Sequence, residues 1–263
     1  MKIDTLNTPE RIKNGIESTT SAMLEIDGHL GQDLINNFTH HLSALFAHQN
    51  PECKFALART MDKDVGSKFC LYLTSACIEF TTAWHCIRMG RIPASVRSCR
   101  VATEFLASAI LLVVPQERLL AIKSTESYYR KFLKNSELSM WDLMNASKEA
   151  QGNVIPPVLR AIDVFNVFMK WIEDEPEIPV YCFAGLQHYR QSVHHPLSHG
   201  STESWSYHFH GMDGNVAGPT LSHERIPKYI EAAQGVISII HQFCSIFDAI
   251  QSASWWNGAR KRG

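Results

Sequence analysis

The 263-residue sequence lacks an excess of either charge, an apolar run long enough to span a bilayer and the apolar core of a signal peptide. Its 25 Lys and Arg are balanced by 26 Asp and Glu, so no overall positive field points to a nucleic-acid partner. The longest apolar run, Phe105 to Val114, is too short for a transmembrane helix and ends at Pro115. We therefore expect a soluble, cytoplasmic protein without membrane contact.

The sequence also lacks C-x-x-C pairs, an H-E-x-x-H motif, internal repeats and low-complexity linkers. Its seven cysteines are odd in number and mostly fall within apolar helical patterns. This usage fits reduced, buried thiols better than a disulfide framework. Apolar residues make up 45% and charged residues 19% of the chain, which is ordinary globular composition.

Helical periodicity dominates the first half of the chain. Apolar spacing predicts a helix from Pro9 to about Ile26 and a second from Leu30 to Phe46, which we expect to form an antiparallel hairpin. A more uniformly apolar stretch, Asp64 to Met89, predicts a buried helix that Gly90 ends. Pro93 begins another long helix, and the short GRIP connection predicts that these two helices are antiparallel neighbours.

The second half of the chain predicts further helices and one long loop. The expected helices are about Glu117–Leu133, Met140–Glu149, Pro157–Glu173, Tyr181–His195 and a last one from Ser222 to Ile250. The Gly- and Ser-rich loop runs from Gly200 to Pro219, and only Trp205 to His210 alternates like a strand. The predicted fold is an all-α bundle of long antiparallel helices, with the N-terminal helical hairpin and a His-rich loop before the last helix. The expected segments are 1–62 for the hairpin, 63–256 for the bundle and 257–263 for a basic tail.

The segment HYRQSVHHPLSHGSTESWSYHFHG holds six of the thirteen histidines. Within it, Arg190 and His195 form an R-x-x-x-x-H motif, which follows the helix pair carrying MGRIPASVRSCRVATEFLASAILL. The motif and its context resemble the HEPN superfamily, in particular a bacterial branch of HEPN-like proteins. The resemblance covers roughly Lys68 to Ile250. It implies a helical bundle that binds RNA or cleaves it, in a toxin or antiphage setting. A protein that cleaves RNA would be a metal-independent endoribonuclease.

The resemblance also implies a homodimer that joins two motifs across one site, and the broad apolar stripe of the last helix agrees with it. No cofactor is expected. The sequence differs from the better-known ribonucleases of the superfamily in its long His-rich loop and in Gln191, where Asn, Asp or His is commoner.

The chemistry of the motif can be argued from its side chains. Arg190 offers a permanent fork of donors to a phosphate, and an adjacent imidazole can exchange the proton of a ribose 2′-hydroxyl. On a straight helix His194 lies about 40° from Arg190 and His195 about 140° away. Pro196, however, turns the chain outward at His195. We expect His195 to be the general base and acid and keep His194 as the alternative.

Other residues complete the expected site. Glu104 or Ser192 is expected to orient the catalytic pair, because the Arg97–Glu104 segment resembles one that HEPN-like proteins carry on a bundle helix. The side chains expected to contact RNA are Arg97, Tyr189, Trp205 and Tyr207, the last two as stacking platforms.

Two other interpretations stay open. In the first interpretation, Arg190 pairs with an acid such as Glu104 inside the bundle. The protein is then a non-catalytic interaction or ligand-binding module. In the second, a metal ion binds to the loop through His199, His208 and His210, of which the last two share one side of the expected strand. No acidic residue at ligand spacing completes that set.

Overall fold

The computed structural model describes residues 9–50, 52, 61, 63–115, 118, 164–189 and 226–259. This part of the chain is 88% helical and contains no strand, so the predicted all-α class is confirmed. Its helices are α1 (Pro9–Ala47), α2 (Lys63–Arg88), α3 (Ile92–Val113), α4 (Val164–Asp174), α5 (Ala184–Tyr189), α6 (Ile226–Ser252) and α7 (Ser254–Ala259), with a 3₁₀ turn at Val180–Cys182.

The chain divides into two compact units. Unit 1 comprises Met1–Ala44, Cys77–Val101 and Gly185–His241, and unit 2 comprises Leu45–Ala76, Ala102–Ala184 and Gln242–Gly263. Both units draw on α1, α2, α3 and α6, so their limits differ from the sequence-based segments 1–62, 63–256 and 257–263, which remain a prediction.

In unit 1, α1 packs against α2 through an aromatic stack and an ion pair. The rings of Phe38 and Trp84 lie 4.3 Å apart and nearly parallel, at 11°. The guanidinium of Arg88 donates to both carboxylate oxygens of Asp27, at 2.6 and 2.5 Å. Those hydrogen bonds raise the pKa of Arg88, so its guanidinium stays charged. Both contacts join residues far apart in sequence and therefore fix the two helices side by side.

The end of α2 follows the sequence prediction. Gly90 has φ 70°, a left-handed conformation that favours glycine. The Arg91 amide donates to the Cys86 carbonyl at 2.7 Å, and the Gly90 amide donates to the Ile87 carbonyl at 2.8 Å. These two bonds satisfy carbonyls that the end of a helix otherwise leaves open, and they form the Schellman pattern. The chain is thereby turned into α3 within a few residues.

The two helices expected at the N-terminus meet at Gly31 within α1. Gly31 has φ 69° and ψ 160°, which lie outside the helical region. Only glycine adopts such angles without strain. Buried Ile26 and Leu30 precede this kink, and buried Phe38 and Leu45 follow it. Two helical segments are therefore present on either side of Gly31, and their antiparallel arrangement stays a prediction.

The core of unit 2 is built largely from aromatic rings. Phe168 on α4 stacks on Phe243 of α6 at 5.7 Å, and Phe69 of α2 lies 5.8 Å from Phe247. Trp171 is fully buried and meets Trp255 of α7 edge to face at 6.4 Å. Rings of this size remove a large apolar area from water, which drives the packing of these short and long helices together.

One predicted helix begins later than expected. The sequence pattern favoured a single helix from Tyr181 to His195, but the structure has a 3₁₀ turn at Val180–Cys182 and begins α5 only at Ala184. Phe183 separates the two with φ −133°, and its amide closes the turn by donating to the Val180 carbonyl. The tight turn follows Pro179, whose ring fixes its φ and removes an amide donor.

The expected helices Glu117–Leu133 and Met140–Glu149 lie outside the described residues, except for Arg118. The same holds for the Gly200–Pro219 loop and its expected strand. Within the described part of the chain, α6 is the one helix long and apolar enough to cross a membrane by length and composition. Half of its 18-residue apolar stretch is buried, and the core helices of soluble proteins meet the same criterion of length and composition.

Candidate functional site

The described segment 164–189 ends at Tyr189, which is the last residue of α5 and the residue before the R-x-x-x-x-H motif. The predicted catalytic residues Arg190, Ser192, His194 and His195 lie outside the described residues, as do Trp205, Tyr207 and the three loop histidines His199, His208 and His210. Three predicted site residues can be placed: Tyr189, Arg97 and Glu104.

Tyr189 is held against α3 in unit 1. Its side chain is buried, with 8% of its surface exposed, and its hydroxyl donates to the Val96 carbonyl at 3.3 Å. Burial raises the pKa of Tyr189 well above 10; nearby Cys99 raises it further, while Arg100 lowers it. The hydroxyl therefore stays protonated and remains a donor. The backbone that enters the motif is thus anchored beside the first half of α3.

The burial of Tyr189 limits how this residue could take part in the predicted RNA contact, which stays a prediction. A ring that stacks on a base must present an open face, and the Tyr189 ring is buried within the protein. The sequence could not distinguish the two uses, because tyrosine serves equally as a buried anchor and as a stacking surface. Its place in this structure is that of a packing residue that positions the chain before Arg190.

Basic side chains lie on the same part of α3. Arg97 is exposed, and Arg100 is half-buried and close enough to Tyr189 to act on its ionisation. Arg97 and Arg100 are three residues apart, and residues at that spacing are neighbours on a helix. Tyr189, the residue before the motif, therefore lies against the part of α3 that carries these two arginines.

Glu104 lies seven residues after Arg97 on the same helix, so the two share one face of α3, as the spacing predicted. Glu104 is half-buried and belongs to unit 2. Its backbone carbonyl accepts a hydrogen bond from the Ser108 hydroxyl at 2.8 Å. An orienting role for the Glu104 carboxylate stays a prediction.

The thiols of Cys99 and Cys86 in unit 1 are unsuited to catalysis. Burial raises the pKa of the Cys99 thiol to about 12, and Cys86 and Glu79 raise it further, against a lowering by Ser95. Burial is also the main cause of the raised pKa of Cys86. A thiol attacks as its thiolate, so both cysteines are inert at neutral pH. All six described cysteines are free, in agreement with the sequence interpretation.

A charged cluster that the sequence analysis missed lies in unit 2. Arg118 donates to both carboxylate oxygens of Glu175 at 2.8 and 2.9 Å and to Glu177 at 3.1 Å. Glu177 in turn accepts hydrogen bonds from the amide and hydroxyl of Ser254, where α7 begins. The guanidinium also lies 5.2 Å from the centre of the Trp255 ring. The acidic EDEPEIP stretch predicted a loop, but spacing could not reveal a partner 57 residues away.

A histidine group that the sequence analysis also missed lies in unit 1. His40 and His41 are neighbours on α1, with ring centres 5.3 Å apart, and His241 on α6 lies 5.0 Å from His41. The sequence showed these only as scattered helix positions, since 200 residues separate the two helical stretches. No group of three or more His, Cys, Asp or Glu residues in the described part of the chain is arranged to hold a metal ion.

Comparison with known proteins adds no relative. Neither a family model, nor a curated protein, nor a solved structure matches this chain. A function for the protein therefore has to be inferred from the motif, from the residues that surround it and from the resemblance that they carry.

Proposed function

We propose that this protein is a HEPN-like helical protein that binds RNA and cleaves it at a site centred on Arg190 and His195. The observation that carries the proposal is the hydrogen bond from Tyr189 to Val96, which fixes the residue before the motif against the part of α3 that carries Arg97 and Arg100. Arginines offer planar donor forks to phosphates, so this is a suitable place for a polyanion to meet the protein. The all-α fold agrees with the resemblance without being specific to it.

The proposed reaction is transesterification of the RNA backbone without a metal. His195, or His194 in the alternative assignment, removes the proton of a ribose 2′-hydroxyl. The 2′-oxygen then forms a bond to phosphorus, the bond to the 5′-oxygen breaks, and a histidine returns a proton to the leaving oxygen. Arg190 stabilises the charge that develops on the phosphoryl oxygens. Glu104 or Ser192 orients the pair, and the products are a 2′,3′-cyclic phosphate and a 5′-hydroxyl.

In this proposal the active species is a cytoplasmic homodimer whose two motifs face one site, in a toxin or antiphage setting. Arg97, Trp205 and Tyr207 supply further RNA contacts. Light scattering over micromolar concentrations tests the dimer separately from the chemistry. A single monomeric mass over that range would contradict the composite site.

The direct test of activity is incubation of purified protein with a mixed RNA pool, with and without a chelator. We expect cleavage that resists the chelator and leaves 2′,3′-cyclic phosphate ends. His195→Ala should abolish cleavage with the melting temperature unchanged, and Arg190→Ala should abolish it or also weaken RNA binding. His85→Ala, an exposed histidine of α2, is the matched control and should cleave normally. Loss of activity in His194→Ala alone would move the catalytic role to that residue.

The second candidate function is a non-catalytic interaction or ligand-binding module. It is favoured by the way described arginines pair with acids inside each unit, as Arg88 does with Asp27 and Arg118 with Glu175. In that case Arg190 stabilises the fold and the parent protein cleaves no RNA. Arg190→Ala and His195→Ala would then both lower the melting temperature by several degrees. The third interpretation, a metal site at His199, His208 and His210, is tested by elemental analysis of the purified protein.

A further inference from the structure

Three imidazoles meet where α1 and α6 pack together in unit 1. His41 is half-buried between the helices, its ring centre lies 5.0 Å from that of His241, and the two rings are tilted by 66°. His40, the residue before it on α1, lies 5.3 Å away at 70°. His40 and His241 are exposed, so protons reach the group freely from solvent.

The described charges that shift the pKa of His41 come from other imidazoles. From α6 the neighbour is His241, and from α1 itself it is His40. The α2 helix also packs on α1, through Trp84, and carries His85 and Glu79 nearby in sequence, but neither is among the described groups that shift this pKa. Burial is the main cause that lowers the pKa of His41 below 6.5, and His241 and then His40 lower it further.

We propose that His40, His41 and His241 form a proton-sensitive contact that holds α1 to α6 in unit 1 at neutral pH and weakens in mildly acidic solution. The physical reason is charge. Neutral imidazoles pack edge to face like other aromatic rings, whereas protonation places positive charges about 5 Å apart. Like charges at that distance repel, and the half-buried position of His41 weakens the screening of that repulsion by water.

The sign of the pH effect follows from linkage. His41 has a lower pKa in the folded protein than in the unfolded chain, so the unfolded chain takes up its proton first as the pH falls. The stabilisation that the contact gives to the folded protein is complete above about pH 7 and declines as the pH falls through 6.5. It reaches its lower limit below the pKa of His41 in the folded protein. The affected segments are the parts of α1 and α6 that carry the three histidines.

The test combines histidine titration by NMR with hydrogen exchange at pH 7.5 and 5.5, on the full chain. In the parent, His41 should titrate below 6.5, and backbone amides around His41 and His241 should lose protection at pH 5.5 after correction for intrinsic exchange. The expected loss at pH 5.5 is at most about tenfold, because that pH lies one unit below the unfolded value of 6.5. In His241→Gln the His41 pKa should move back towards 6.5, and the loss of protection at pH 5.5 should shrink.

His85→Gln is the matched control and should keep the parent's pH dependence, since it removes an exposed histidine outside the group. The second test variant is His41→Gln. In this variant the corrected exchange of backbone amides around residues 41 and 241 should become nearly independent of pH. Equal pH dependence in parent and His241→Gln would overturn the proposal. So would stronger protection at pH 5.5, because it would mean that protonation tightens the contact.

Discussion

The hydroxyl of Tyr189 donates a hydrogen bond to the backbone carbonyl of Val96, across 93 residues of sequence. The bond joins the end of α5 to α3 in unit 1, and both side chains are buried. It places the residue before Arg190 at a fixed position on α3, next to Arg100. The end of α5 is therefore held against α3 at the residue that precedes Arg190 in the sequence.

Tyr189→Phe tests this anchor. The variant keeps the ring and loses the donor, so the Val96 carbonyl is left without that partner in a buried place. We expect a loss of about 1 kcal/mol in the free energy of unfolding. Denaturant titration followed by circular dichroism measures it. Tyr181→Phe is the matched control, because Tyr181 is 79% exposed, and no change is expected there.

Arg118→Met tests the charged cluster of unit 2. Glu175 has 3% of its side chain exposed and would lose its guanidinium partner, which leaves a buried carboxylate unpaired. Because Arg118 itself is 30% exposed, we expect about 2 kcal/mol of destabilisation, below the range for fully buried pairs. The double variant Arg118→Met/Glu175→Met should recover part of the loss. A single variant as stable as the parent would contradict a structural role for the pair.

Glu177 predicts a specific acid sensitivity. The Ser254 amide is the main cause that lowers the pKa of Glu177, and the Ser254 hydroxyl and Arg118 lower it further against the opposing effect of burial. A carboxylate with a lowered folded pKa contributes stability above the unfolded value of 4.5, and the contribution is lost as the pH falls through the folded pKa. Thermal unfolding of Glu177→Gln should therefore show a smaller decline below pH 4.5 than the parent. Parallel curves would exclude this linkage.

Two glycines of α1 should respond to alanine in opposite directions. Gly31 has φ 69°, where a β-carbon is strained whatever the space, so Gly31→Ala should destabilise the protein by about 1 kcal/mol or more. Gly28 has no such φ and lies in the helix, and a β-carbon added there would meet nothing within 4 Å. Gly28→Ala should stabilise by about 0.5 to 1 kcal/mol. Equal melting temperatures for the two variants would show that the kink at Gly31 is dispensable.

The amino-acid sequence by itself determined the local structure. Apolar residues at helical spacing predicted α2, α3, α4 and α6, and a glycine after α2 predicted where that helix ends, because both signals depend on neighbours within one or two turns. The same spacing put Arg97 and Glu104 on one face of α3. Cysteines in apolar helical patterns indicated buried, reduced thiols for the same reason.

Only the tertiary structure decided which distant residues meet. The sequence alone does not show that Tyr189 is buried and donates its hydroxyl hydrogen to the Val96 carbonyl. Two other groups also join residues that are 57 or more positions apart, and they depend on how the helices are aligned. They are the group of His40, His41 and His241 and the pair of Arg118 and Glu175. Periodicity reports which side of a helix is buried, but the partner on the neighbouring helix is chosen by the packing of the whole unit.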